Sequence, residues 1–340
     1  MNENPKASGR GHAVLRWLVA AAFIFAVVIS GVFSGLTNRA GLFFLAAGSV
    51  AAAFMGFSRR EIGAAFGRAF NPAGPRESLE RSAYFWEAAA RNSWVLGVLG
   101  SALNFTMVLG GGDSGGIQDV STRMIQSLVV TLYGLVLAVI CLLPAIKLAA
   151  AAEGGPDVPP SGAAPVRPGL FGRLIGYVLF AAVLGLPIVD LVERLPQEGP
   201  FSTAAIILHG PALLVVIGGA VALALFMGAG AGARSLTLGF ALTGLISLLM
   251  GFIQALFGFV RPSIEEISVA IAFILAASMF ALLGLVAVAG PLEDREVMEG
   301  RRRGSRALSR TVWIVFPLLT FIFLILTFIM VVTPMTKKGG

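Results

Sequence analysis

The amino-acid sequence predicts an all-α, polytopic membrane protein, on three observations. Of its 340 residues, 57% are hydrophobic and only 13% charged, where a soluble chain carries about 25% charged residues. Apolar runs of roughly 20 residues, enough to cross about 30 Å of hydrocarbon, recur along its length. Within those runs apolar and polar residues do not alternate. Lipid admits only helices and closed barrels as spanning structures, because every backbone polar group must be satisfied internally. The missing alternation selects helices.

The runs divide into about nine transmembrane helices, at 14–35, 41–57, 93–110, 124–146, 171–192, 208–228, 236–258, 267–290 and 312–333. Basic residues sort by side. With the N-terminus inside, nineteen Lys and Arg fall on the inner side and six on the outer, so the N-terminus is expected in the cytoplasm. Nine crossings then put the C-terminus outside. Trp17, Trp94 and Trp313 each begin a span at its inner end, where interfacial anchors belong. The run RRRGSR (301–306) suits anionic lipid headgroups and also fixes topology. Because the net charge of +7 sorts by membrane side, no nucleic-acid partner is expected.

Polar chemistry is sparse. Cys141 is the only cysteine, which excludes a disulfide framework. His12 and His209 are isolated, too few for a metal site. GGGDSGG (110–116) lacks a preceding strand and a Lys-Ser/Thr ending, so it reads as a turn and not a phosphate loop. With no nucleophile–base pair either, no enzyme and no cofactor are expected.

Residues 1–149 form a first four-helix unit with a polar insert at 58–92. There Pro75 starts a helix whose pairs Glu77–Arg81 and Glu87–Arg91 are four apart in the favourable order. That helix is expected to run unbroken into the third span. Residues 150–170, rich in Pro, Gly and Ala, are a linker. A second, reduced four-helix unit at 171–294 follows, then a basic segment at 295–310 and a ninth helix within 311–340.

The two units look like copies. LGVLGSALN (96–104) aligns with LGFALTGLI (238–246), pairing Ser101 with Thr243. GIQDVSTRM (116–124) aligns with SIEEISVAI (263–271), and in the same register Thr131 meets Ser278 and Pro144 meets Pro291. Four spans per copy, an even number, would make the repeats parallel.

One stretch carries the functional question: SLVVTLYGLVLAVICLLPAIKL (127–148). Ser127, Thr131, Gly134, Ala138, Cys141 and Ala145 recur at spacings of four and three, so every small residue shares one face. Gly97, Gly100, Ser101 and Asn104 do the same on the preceding span. Such faces let membrane helices pack closely, since lipid provides no hydrophobic drive for association. Gly97, Gly100, Ser127, Gly134 and Ala138 are thus candidates for a packing face. Ser101, Asn104, Thr131, Thr243 and Ser278 are candidates for the polar wall of a pathway, though plain helix packing accounts for the same hydroxyls.

WVLGVLGSALNFTMVL (94–109) followed by 127–148 resembles the paired pore helices of the MotA/TolQ/ExbB proton-channel family. The resemblance lies in the glycine pattern of the first helix, and in the Thr, the Gly three on, and the late Leu-Pro before a basic residue of the second. GLFFLAAGSVAAAFMGFSRREI (41–62) is similar to the second span of MotA. Ser101 stands where the family has threonine, and Asn104 where it has glycine. VFPLLTFIFLILTFIMVVTP (315–334) resembles the single helix of the ExbD/TolR partner, and that partner's proton-carrying aspartate then falls at Thr320, which cannot titrate.

The resemblance implies a multi-pass subunit of the bacterial inner membrane in an ion-driven motor or channel. It implies a homo-oligomeric ring, a MotB-, ExbD- or TolR-like partner supplying the carboxylate, and a proton or sodium ion as the transported species. All eighteen Asp and Glu fall in loops or at span ends, so the chain itself offers no mid-membrane carrier. Two other functions stay open: a non-conducting scaffold of the same family, and a secondary transporter of two parallel repeats.

Overall fold

A computed structural model describes residues 38–110, 117–153, 173–183, 209–227, 232–260, 264–299 and 306–338. The Asn38 side chain accepts from the N–H of Gly41 at 2.8 Å and caps helix α1, Arg39–Gly56. Phe57 and Ser58 interrupt the helix. A capping box between Ser58 and Glu61 then starts α2, Arg59–Phe70, satisfying two amide donors reciprocally. Gly74, at φ +137, turns the chain back. Helix α3 follows from Arg76 to Gly110, 35 residues without a break. At 1.5 Å per residue it is about 50 Å long, well beyond the roughly 30 Å of a hydrocarbon core. The insert helix and the third expected span are therefore one rod, as the sequence predicts.

Helix α4 spans Ile117–Glu153 and keeps Pro144 inside it. Residues 173–183 form α5 and residues 210–227 form α6, the latter with a π turn at Leu214–Gly218. Helix α7 is Gly232–Val260. Helix α8 covers residues 264–298 with a π turn at Leu285–Ala289, immediately before Pro291. A proline withholds its N–H and crowds the carbonyl four residues back, and a widened turn relieves both. Helix α9 is Arg306–Lys338.

Six of these helices contain stretches long and apolar enough to cross a membrane: α1, α3, α4, α7, α8 and α9. Helices α5 and α6 match the expected spans 171–192 and 208–228 but are shorter over the described residues. The expected first span, 14–35, lies outside the described residues, as do 154–170 of the linker, the glycine-rich turn from 111 to 116, and 301–305 of the basic run.

Helices α3 and α8 are the most enclosed. Helix α3 packs against α1, α2, α4, α8 and α9, and α9 also touches α4, α7 and α8. Buried Leu96, Leu99 and Phe105 of α3 join Ile274 and Leu275 of α8 in one apolar core. The end of the bundle that carries α2 and the first turns of α3 is termed the insert end below. There Trp86 donates to the Ala65 carbonyl at 3.2 Å, Phe57 meets Phe85 edge-on at 5.1 Å, and Lys147 of α4 donates to the Ala69 carbonyl at 2.8 Å.

Two expectations are corrected here. Trp94 and Trp313 are buried inside the bundle and do not face a headgroup layer. The Glu77–Arg81 pair forms at 2.6 Å, but Glu87–Arg91 does not: Glu87 pairs with Arg310 of α9, and Arg91 with Asp294 of α8. An exposed helix pair contributes only about 0.3–0.5 kcal/mol, whereas a buried carboxylate without a partner costs several. Arg91 goes to the buried acid.

Candidate functional site

The small face of α4 is buried: Ser127, Thr131, Gly134, Ala138, Cys141 and Ala145 all turn inward. Leu132, Leu135, Val139, Leu142, Leu143 and Ile146 are exposed on the other faces. Opposite it lie Gly97, Gly100 and Ser101 of α3, also buried. The backbones meet at Gly97 and Gly134. A Cβ on Gly97 would stand 2.9 Å from the Gly134 Cα, and one on Gly134 would stand 2.7 Å from the Gly97 Cα. Only glycine permits that approach from both sides.

The close approach brings a hydroxyl pair together. Ser101 Oγ donates to the Ser127 carbonyl at 2.7 Å and lies 2.6 Å from Thr131 Oγ1. A serine has one proton to give. With it committed to Ser127, Thr131 donates, between Ser101 Oγ and the Gly97 carbonyl at 3.3 Å. Ser101 Oγ also accepts from the Thr131 backbone N–H at 3.2 Å. Both side chains are 0% exposed. Within one chain, therefore, Ser101 and Thr131 form a sealed seam between two helices.

The other predicted residues do not join them. Asn104, one turn on from Ser101, is half-exposed. Thr243 bonds to the carbonyls of Val216 on α6 and Gly239 on its own helix, at 3.0 and 2.7 Å. Ser278 and Thr320 each donate only to the carbonyl four residues back, Ile274 and Phe316. The sequence alignment pairs Ser101 with Thr243 and Thr131 with Ser278, yet Thr243 reaches α6 while Ser278 bonds within its own helix, and the two do not bond to each other.

Residues 64–154 match the MotA/TolQ/ExbB proton channel family, and that stretch holds α3, α4 and the seam between them. This stretch is similar to a MotA/TolQ/ExbB family domain. No match to a curated protein or to a solved structure accompanies it. The domain begins within α2 and ends just past α4, so α5 to α9 lie outside the matched residues. In and around it, among the described residues, six helices are long and apolar enough to cross a membrane.

At the insert end of the family domain lies a second polar group that the sequence did not reveal. Asp294 of α8 is 0% exposed. Its Oδ1 accepts from Tyr84 Oη at 2.9 Å and from Arg91 Nη2 at 2.8 Å, both on α3. Its Oδ2 has no hydrogen-bond partner among the described residues. A Cβ on Gly56 would stand 2.7 Å from that oxygen, so the glycine at the end of α1 makes room for it. The Arg91 guanidinium also lies over the Trp313 ring of α9, 4.2 Å from its centroid. Trp313 Nε1 donates to Glu293 at 3.0 Å, and Thr237 of α7 donates to the same oxygen at 3.2 Å. One cluster thus ties α1, α3, α7, α8 and α9 together. Its only sequence signal is the placement of Glu293 and Asp294 three and four residues past the end of the eighth expected span, with Arg91 just before the third.

Proposed function

We propose that the chain is an inner-membrane subunit of an ion-motive-force-driven channel or motor complex of the MotA/TolQ/ExbB type. It forms a ring around a partner helix of the MotB, ExbD or TolR kind, and the proton is the ion moved. The observation that carries this reading is the family match across the helix pair that holds the hydroxyl seam. The partner must bring the carboxylate. Asp and Glu stand only at span ends or in loops of this chain, and Thr320, which corresponds by resemblance to the partner's carrier, spends its hydroxyl on the Phe316 carbonyl. Each charge crossing 100 mV releases about 2.3 kcal/mol, which a hydroxyl cannot harvest because it does not hold the proton.

In this reading the glycine–hydroxyl seam fixes the spacing of α3 and α4, and Asn104 is the polar side chain offered to the conduit. Ser101, Thr131, Thr243 and Ser278 line it only when the packed helices part. The test is proton flux into liposomes containing the chain with each MotB-, ExbD- or TolR-like partner. Partner-dependent flux that falls on Asn104→Leu and Thr131→Val is expected. Absence of flux with every partner would remove the reading.

A second reading, a non-conducting scaffold of the same family, is favoured by the internal satisfaction of Thr320 and of the seam hydroxyls. Under it, no partner elicits flux. A leak gained on Thr320→Asp would place α9 beside a conduit and count against the scaffold.

A further inference from the structure

Asp294 stands apart from the seam and is not used by the proposed channel reading. It is fully buried where its segment packs against α1, α3 and α7, and among the described residues hydrogen bonds reach only one of its two oxygens. Two influences oppose its ionisation: complete burial, and the carboxylate of Glu293 beside it. Two others favour it: the Arg91 guanidinium and the Tyr84 hydroxyl, both directed at Oδ1. Burial and a like charge raise the cost of a carboxylate, while a cation and donated hydrogen bonds lower it. The remaining neighbours are uncharged: Gly56 from α1, and Trp313 from α9 beneath Arg91. Arg91 itself is 12% exposed, so the cluster reaches the surface of the insert end at one edge.

We propose that Asp294 is a proton-binding site, and that proton uptake there releases Arg91 and loosens the tie between α3 and α8. The carboxylate takes a proton from water at the insert end. No covalent bond other than the new O–H forms or breaks. Arg91 keeps its charge but loses the anion that draws α8 to α3, and its stacking over the Trp313 ring changes with it. Since α3 carries the Gly97–Ser101 face, a change at Asp294 is transmitted along a single rigid helix to the seam. The inference deepens the channel reading, on which any part in ion movement rests, but the site itself stands on these contacts.

The experiment is infrared difference spectroscopy of the purified full chain in liposomes during stepwise acidification. A carbonyl band of a protonated carboxylic acid is expected, and its loss in Asp294→Asn. Tryptophan fluorescence should change over the same pH interval, with that change absent in Trp313→Phe. Tyr84→Phe, which keeps the acid and its arginine, should move the midpoint upward by about one pH unit, a tenfold gain in proton affinity. A band that survives Asp294→Asn, or no band while the protein stays folded, overturns the proposal. If Asp294→Asn does not fold, Tyr84→Phe decides alone, and an unmoved midpoint overturns it. Flux is measured separately. The band without flux under any partner supports the site and removes the channel reading, whereas flux without the band does the reverse.

Discussion

Helix α3 carries two polar devices about ten residues apart, and they are built on opposite plans. The seam with α4 uses short neutral side chains, Ser101 and Thr131, at a point where two glycines let the backbones touch. The insert-end cluster uses long charged and aromatic ones, Arg91, Asp294, Tyr84 and Trp313, across a gap the side chains must fill. The seam joins neighbours in sequence within the family domain. The cluster joins that domain to α8 and α9, outside it. Depth explains the difference. Arg91 and Asp294 lie just beyond the expected spans, where a charge can be held at tolerable cost, while the seam lies within a span, where a charge would be expensive. Neutral hydroxyls that can also bond to backbone are what that depth permits.

The contrast breaks most easily at Arg91. Arg91→Leu leaves Asp294 buried without its cation, and losing one partner of such a pair costs about 3–5 kcal/mol. The measurement is thermal unfolding in detergent micelles, followed by circular dichroism. The deficit should shrink as the pH is lowered, because a protonated Asp294 is no longer a buried charge. The double variant Arg91→Leu/Asp294→Leu should regain most of the loss, since replacing both partners by apolar groups is often neutral. A double variant as unstable as Arg91→Leu alone would mean that shape, not charge, holds this end together.

The seam should respond to size instead. Gly134→Leu forces a side chain into the Gly97 backbone, and overpacking of this kind costs about 1–3 kcal/mol. Gly218→Leu in α6 is the control, since a Cβ there meets nothing within 4 Å. Equal losses at both positions would show that the glycine contact is not what sets the α3–α4 distance.

These two devices were unequally legible in the sequence. The seam was legible because its signal is local: small residues at spacings of four and three define one helix face, and the glycines on the facing helix fall on a matching one. The unbroken α3 agrees with the absence of any proline between Arg76 and Gly110. The cluster was not legible, because its partners are about 200 residues apart and no periodicity joins Arg91 to Asp294. The local rule even misdirected, offering Glu87 as the partner of Arg91. Trp313 was misassigned in the same way: its position at the start of a span suits an interfacial anchor, and only the packing of α9 on α3 turns it inward. The hydroxyls that align with Ser101 and Thr131, on Thr243 and Ser278, likewise said nothing of which helix each would face.

That last point sets a sharper comparison. Thr131 bonds across the seam, to Ser101 and the Gly97 carbonyl, whereas its aligned counterpart Ser278 bonds only to its own helix. Interhelical hydrogen bonds within membrane proteins contribute on average about 0.6 kcal/mol and at most about 1.7. Thr131→Val should therefore destabilise by about that range and Ser278→Ala by less. Unfolding of both variants in the same detergent decides the order. Reversal would put the interhelical link at Ser278.

The smallest effect belongs to Glu87–Arg310, the one charge contact between α3 and α9 outside the buried cluster among the described residues. Its distance, 2.7 Å, is as short as that of Arg91–Asp294, but its side chains are 32% and 56% exposed. In water-facing surroundings such a pair contributes about 0–1 kcal/mol and weakens as salt screens it. Glu87→Gln should thus lower stability by less than about 1 kcal/mol at low salt, with the difference vanishing near 1 M salt. Arg91→Leu should keep its full deficit under the same salt, because ions do not enter a buried pair. Two contacts of equal length and opposite salt response would show that burial, not distance, assigns the work of holding α9 and α8 to α3. If both deficits fade together, the Asp294 cluster is wetter than its burial implies, and the contrast between the two ends of α3 narrows to one of side-chain length.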